Sequence, residues 1–184
     1  MRKSYGSEKI RKNVLKKPFT NKRVVEVSKL LKKHDINFVM YWMFGLPFET
    51  KLDAMETVNL ARETNANGMD CFLFKPYRGL DITTLAVENN FITEQDIKNL
   101  EQSHFANMNS VMRMKDICSI ENIFYLFRLF VFFPKMEKLL LKLIEFKPNA
   151  FYRFIHFIFY ASEIRKLPFG FKRNLIEIFY HKDE

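Results

Sequence analysis

Apolar positions along the chain change their rhythm twice, and each change marks a different kind of element. Between Thr20 and Lys33, Val24, Val27, Leu30 and Leu31 recur at spacings of three and four, the stripe of an amphipathic helix. Lys22, Arg23, Lys29, Lys32 and Lys33 take the rest of its surface. Ahead of it, Ser7 is placed to cap a short helix from Glu8 to about Lys16, which Pro18 ends. From Ile36 to Phe44 the sequence is nearly continuously apolar, which predicts a strand covered on both faces, as in a parallel sheet. Gly45-Leu46-Pro47 stops that strand. Thr50, with Asp53 three residues on, is close to a capping box. Ala54, Met55, Val58 and Ala61 form the inner face of the helix it opens, near Thr50–Thr64. Asn67-Gly68 ends that segment, and Met69–Phe74 reads as a second buried strand. Strand, helix and strand predict a βαβ unit with neighbouring parallel strands.

Pro76 and Gly79 break the chain after this second strand, and helices are expected from about Ile82 to Asn89 and again from Thr93. Residues 103–118 are mostly polar and rich in Met and Asn, the pattern of a surface connection. From Ser119 onward aromatic helices alternate with Pro134, Pro148 and Pro168. Most of the 21 phenylalanines lie in this part, with Phe127, Phe130, Phe151, Phe154, Phe157 and Phe159 crowding it. The expected organisation is therefore an α/β part over 1–102, a connection over 103–118, and an aromatic-rich helical region over 119–184 packed on the α/β part.

Composition sharpens this picture. With 184 residues, 48% of them apolar, the chain is long enough and apolar enough to bury a real core. The net charge of +9 is unevenly spread: residues 1–33 hold twelve Lys or Arg against two Glu, residues 34–123 are acidic, and 124–184 are basic again. Basic ends suit either solvated helix faces or an anionic partner such as a phosphate or lipid surface. Nucleic acid is disfavoured, because no binding module accompanies the charge. Cys71 and Cys118 stand at no metal or redox spacing and read as buried thiols in a reducing cytoplasm. His34, His104, His156 and His181 are scattered singly. The basic N-terminus lacks the apolar run of a secretory signal. The most apolar stretch, Ile123–Phe133, is short for a membrane span and carries Arg128.

In a parallel α/β fold, ligands gather at the carboxyl ends of the strands. Gly45-Leu46-Pro47-Phe48-Glu49-Thr50 occupies one such end, and Phe74-Lys75-Pro76-Tyr77-Arg78-Gly79 the other. Together with Gly6-Ser7-Glu8-Lys9-Ile10-Arg11-Lys12-Asn13-Val14-Leu15 before them and Asn90-Phe91-Ile92 after them, these landmarks resemble, in order and spacing, the second half of a radical S-adenosylmethionine (SAM) barrel. Phe133-Pro134 and Lys147-Pro148-Asn149 resemble the tail of the cobalamin-binding branch of that family.

The resemblance implies a fold and a chemistry. The fold is α/β: a partial, half radical SAM TIM-like barrel of parallel strands, followed by an α-helical C-terminal region. The parent activity is reductive cleavage of SAM at a four-iron, four-sulfur cluster to yield a 5′-deoxyadenosyl radical. The cobalamin branch adds cobalamin-assisted methyl transfer or rearrangement. Gly45, Leu46 and Pro47 are expected to line the methionine and ribose side of SAM, and Phe74, Lys75, Pro76 and Tyr77 to lie against its adenine. Glu49 reads either as a carboxylate favoured by a helix N-terminus or as a wall of that pocket. The family's cluster needs three cysteines in a Cys-x-x-x-Cys-x-x-Cys loop, which this sequence lacks. Its usual Glu before the Gly-Ser turn is also missing, with Ser4 and Tyr5 in the preceding positions. The chain is thus expected to be inactive alone, to partner a cluster-binding N-terminal half, and to be cytoplasmic. An alternative reading is a basic, aromatic, non-catalytic module that binds a partner or lies peripherally on a membrane surface.

Overall fold

Three parallel strands stand in the order in which the chain makes them. They are β1 (Lys3–Ser4), β2 (Val39–Phe44) and β3 (Gly68–Leu73). β2 and β3 pair along their whole length, Val39 beside Gly68 through Phe44 beside Leu73, as the βαβ reading expects. β1 adds Lys3 beside Tyr41 and Ser4 beside Trp42. Between β1 and β2 lie α1 (Glu8–Asn13) and α2 (Asn21–Lys33); between β2 and β3 lies α3 (Lys51–Thr64). Then follow α4 (Asp81–Glu88), α5 (Glu94–Gln102), α6 (Ile117–Phe132), a 3-10 turn (Pro134–Met136), α7 (Glu137–Leu143) and α8 (Ala150–Lys166). This computed structural model describes residues 3–4, 6–102, 109–148 and 150–166, with side chains described from 6 to 159. Tyr5, His104, Asn149, Pro168 and His181, singled out in the sequence, lie outside them.

Several boundaries differ from the sequence pattern. The first long strand starts at Val39, not Ile36, because residues 36–38 still belong to the turn that leaves α2: Asp35 takes a positive φ of 54° and Ile36 N–H returns to Leu31 O at 2.9 Å. α3 ends at Asn65 in the left-handed conformation rather than at Asn67-Gly68, and Gly68 is already in β3. α1 stops at Asn13, well before Lys16. The α2 stripe is rotated: Val24, Val25 and Ser28 turn inward, while Val27 and Leu30 are exposed.

The larger correction concerns the faces of the sheet. Among the described residues the expected cover on both sides is not found. Trp42, Phe44, Met69 and Cys71 point one way into the main core, whereas Val39 and Phe72 are exposed on the other side and Tyr41 is half-buried. Tyr41 and Phe72 stack there, ring centroids 5.9 Å apart. The near-continuous apolar run therefore reflects a packed face and an aromatic open face.

What fills the packed face is α3 and, unexpectedly central, α6. Ala54, Val58 and Ala61 of α3 are fully buried, as their spacing predicts, and Phe127 of α6 sits edge-on to Phe44 at 5.5 Å and tilted on Trp42 at 6.4 Å. Ile120, Ile123, Phe124, Phe127 and Phe130 share one apolar cluster with the strands. The helical region after residue 119 thus contributes the second layer of the main core, and α6 begins two residues early, at Ile117, inside the segment expected to be a connection. Arg128, the charge in the most apolar run, is 3% exposed and braces helix to sheet: Nη2 donates to Met69 O and to Asp70 Oδ1, each at 3.1 Å. Cys71 is buried as expected, but Cys118 is exposed on α6.

These placements separate core from surface phenylalanines. Phe127→Ala removes a buried ring and is expected to cost about 3–5 kcal/mol. Phe157→Ala, on the outer side of α8, is expected to stay within about 0.5 kcal/mol. Urea unfolding of both variants measures the contrast, and equal small effects would contradict a core role for α6.

Candidate functional site

The carboxyl ends of β1, β2 and β3 bring the three sequence landmarks together, and much of that assembly depends on one carboxylate. Thr50 caps α3: its Oγ1 accepts from Asp53 N–H at 3.2 Å, and Asp53 Oδ2 accepts from Thr50 N–H at 2.9 Å, completing the capping box. The other oxygen of Asp53, Oδ1, accepts from Ser7 Oγ at 2.6 Å. Ser7 therefore makes no cap bond to its own helix, contrary to its expected role, and ties the first landmark to the second. Gly6 N–H donates to Thr57 Oγ1 at 2.9 Å, and a Cβ at Gly6 would overlap the backbone of Glu56 and Thr57. Only glycine lets the turn lie this close to α3. Arg11, fully buried, completes the knot, donating to Phe19 O at 2.9 Å and to Asn21 Oδ1 at 2.6 Å, while Asn21 Nδ2 donates to Gly6 O at 2.8 Å.

The Gly45–Thr50 turn is closed by its own groups. Gly45 takes φ +76° and Phe48 φ +63°. Glu49, 3% exposed, accepts from Leu46 N–H at 2.8 Å through Oε2, and Glu49 N–H donates back to Leu46 O at 3.0 Å. Of the two readings of Glu49, the geometry has it locking the loop that precedes the helix, with Thr50 as the cap. The first N–H groups of α3, ordinarily an anion site, are also engaged: Thr50 N–H by Asp53, and Lys51 N–H by Asp116 Oδ2 at 3.0 Å.

Side chains at the second strand end divide. Leu46 and Phe74 are buried in a satellite apolar cluster with Ile10, Ala86, Ile92, Ile97 and Met112, which packs on the strand ends. Phe74 is 6% exposed, its ring packed within this cluster. Gly45 and Pro47 are buried, as is Pro76, Lys75 is half-buried, and Tyr77 is exposed. A cavity of about 310 Å³ opens beside them, lined by Arg78, Gly79, Thr83, Thr84, Glu88 and Glu94 among others. None of the eight expected site residues lines it.

Residues missed by sequence reasoning come from the supposed connection. Ser110 Oγ lies 3.6 Å from where a Cβ on Gly45 would stand, and Ser110 N–H donates to the buried Glu121 Oε1 at 2.5 Å. Asn109 Oδ1 accepts from Tyr125 OH at 2.8 Å, and Arg113 N–H donates to Phe91 O at 2.8 Å. Burial pushes the Glu121 carboxyl above its ordinary value, and burial beside Glu121 pushes Tyr125 up to about 12. Glu121 and Tyr125 sit four apart on α6, one helical turn from each other, which is the hint that the sequence carried.

An iron–sulfur cluster does not fit these residues. Cys71 Sγ is buried on the packed face of β3, 3.8 Å from Phe124 O, and burial pushes its thiol far up; Cys118 is on a different element. Among the described residues no group of three or more His, Cys, Asp or Glu is placed to hold a metal ion. No protein-family model matches the chain, and no curated protein matches it.

The Asp53 knot has a pH signature. Burial alone would raise the Asp53 carboxyl, but donation from Ser7 and Thr50 outweighs it and holds the group below its usual range. A depressed folded-state value gives stability that is present above the unfolded value, about 3.9, and lost as pH falls through the folded one. Asp53→Asn is expected to lose about 1–2 kcal/mol at neutral pH. The gap from wild type should shrink below about pH 4, read by urea unfolding at several pH values.

Proposed function

We propose that the chain is the C-terminal half of a radical SAM-type barrel, with its ligand side on the open face and carboxyl ends of β1–β3, and that it is catalytically silent by itself. The supporting observation is the topology that carries the three landmarks. The strands are parallel, run in sequential order, and have α2, α3 and α6 packed on the same face, leaving Tyr41 and Phe72 on the other. A doubly wound sheet reverses strand order and is covered on both faces; a (β/α) barrel keeps its order and puts all helices outside. The turns after the three strands are those that resemble the SAM-facing turns of the family.

In this reading SAM and the four-iron cluster belong to the assembled barrel, the cluster being held by cysteines of the other half and cobalamin by a further domain. This chain's own contribution is shape. Glu49 locks the Gly45–Pro47 turn, Asp53 and Gly6 fix the first turn against α3, and Lys75 and Tyr77 offer a cation and an exposed ring at the third strand end.

Two measurements test the proposal. Anaerobic reconstitution with iron and sulfide is expected to give no stoichiometric cluster and no reductive SAM cleavage by this chain alone. The DNA next to the coding region is expected to encode Cys-x-x-x-Cys-x-x-Cys in a half-barrel, in frame or shifted. A cluster EPR signal from the chain alone would overturn the silent half; an unrelated neighbouring gene would overturn the barrel origin.

A further inference from the structure

α8 rests on α6 through a narrow seat that includes a titratable ring. Tyr152 and His156 are buried, while Phe154, Phe157 and Ile158, on the other side of the helix at 3.6 residues per turn, are exposed. Tyr152 OH donates to Leu143 O at 2.9 Å, Ile155 packs on the main core, and Phe159 meets Phe133 edge-on with ring centroids 6.4 Å apart. His156 packs on Phe124, ring centroids 4.7 Å apart, and meets Tyr125 edge-on at 6.0 Å. Only 8% of His156 is exposed. Such a seat suits a neutral imidazole and penalises a charged one, which would give up its hydration there.

The charges around the seat decide what a proton on His156 does. Arg128, one helical turn beyond Phe124 on α6, is buried and places a like charge in the field of His156. Its counter-charge, Asp70 on β3, is committed to it at 3.1 Å. Glu121 on α6 is also buried; it accepts from Ser110 N–H and stands in the field of Arg153 on α8. Burial first, and then Arg128, push His156 down to about 4, although hydrogen bonds to the backbone of Tyr125 and Phe124 favour its charged form. An unfolded histidine titrates near about 6.5. Because its folded value is depressed, this base contributes stability that is present above about 6.5 and lost as pH falls toward the folded value. Glu121 and Asp70, whose carboxyls burial raises, run the opposite way and gain from protonation. A loss of α8 packing in mild acid therefore belongs to His156, and a variant without the imidazole isolates it.

We propose that α8 is an acid-released flap: a neutral His156 seats it on α6, and a proton on His156, set beside Arg128 in an apolar layer, unseats it and bares Phe124 and Tyr125. The device stands apart from the strand ends and does not depend on the barrel reading. Hydrogen exchange of the full chain, read by mass spectrometry and corrected for the intrinsic pH dependence of exchange, tests it. Opening of α8 should rise about tenfold between about pH 7.5 and pH 5.5, while opening of α3 stays level. His156→Leu should keep α8 seated at both pH values, since leucine fills the seat and takes no proton. Titration of the His156 ring by NMR in the unmodified chain is a second measurement, independent of how that variant folds, and its midpoint should lie well below about 6.5. No rise in α8 opening, an equal rise in α3, a rise that persists in His156→Leu, or an ordinary His156 midpoint overturns the proposal.

Discussion

A parallel sheet of this size is held by the cover on one face, and the contact that supplies it is Phe127 against Phe44 and Trp42. Short parallel strands contribute little by hydrogen bonding alone, because water competes for the same groups. Their stability comes from burying the row Trp42, Phe44, Met69 and Cys71 under α3 and α6. Arg128 belongs to the same interface. Its charge is tolerated inside the apolar layer because Met69 O and Asp70 accept from it. The late helices and the early strands are therefore interdependent, although some fifty residues separate β3 from α6's middle.

The strand ends are organised by a second constraint, the satisfaction of buried polar groups by the chain itself. Asp53, Asp116 and Glu49 take up backbone N–H groups that ligands commonly use, and the cluster around Leu46 and Phe74 packs the space above them. These turns act as a rigid frame. What remains open is the aromatic face of the sheet, Lys75 and Tyr77.

The aromatic-rich tail splits into two populations with different work. Phe124, Phe127 and Phe130 fill the core, while Phe154 and Phe157 look outward from a helix packed by Tyr152 and His156. Burial also keeps His156 from charging, pushing its value down to about 4.

Much was legible in the sequence. The βαβ unit, the parallel strands, the Thr50–Asp53 capping box and the inner face of α3 follow from local periodicity and from hydrogen bonds made within a few residues. The turns at the strand ends were legible for the same reason, since Gly45 and Thr50 act on their own neighbours. Tertiary structure alone decided the rest. Which side of the sheet is packed depended on α6 arriving from far along the chain. Ser7 abandoned its own helix for Asp53, and Gly6 was required by close approach to Thr57 rather than by its own turn. Ser110 came beside Gly45, and its N–H to Glu121, only through folding. A local pattern records what a residue prefers beside its neighbours; it carries no record of which distant surface will come to rest against it.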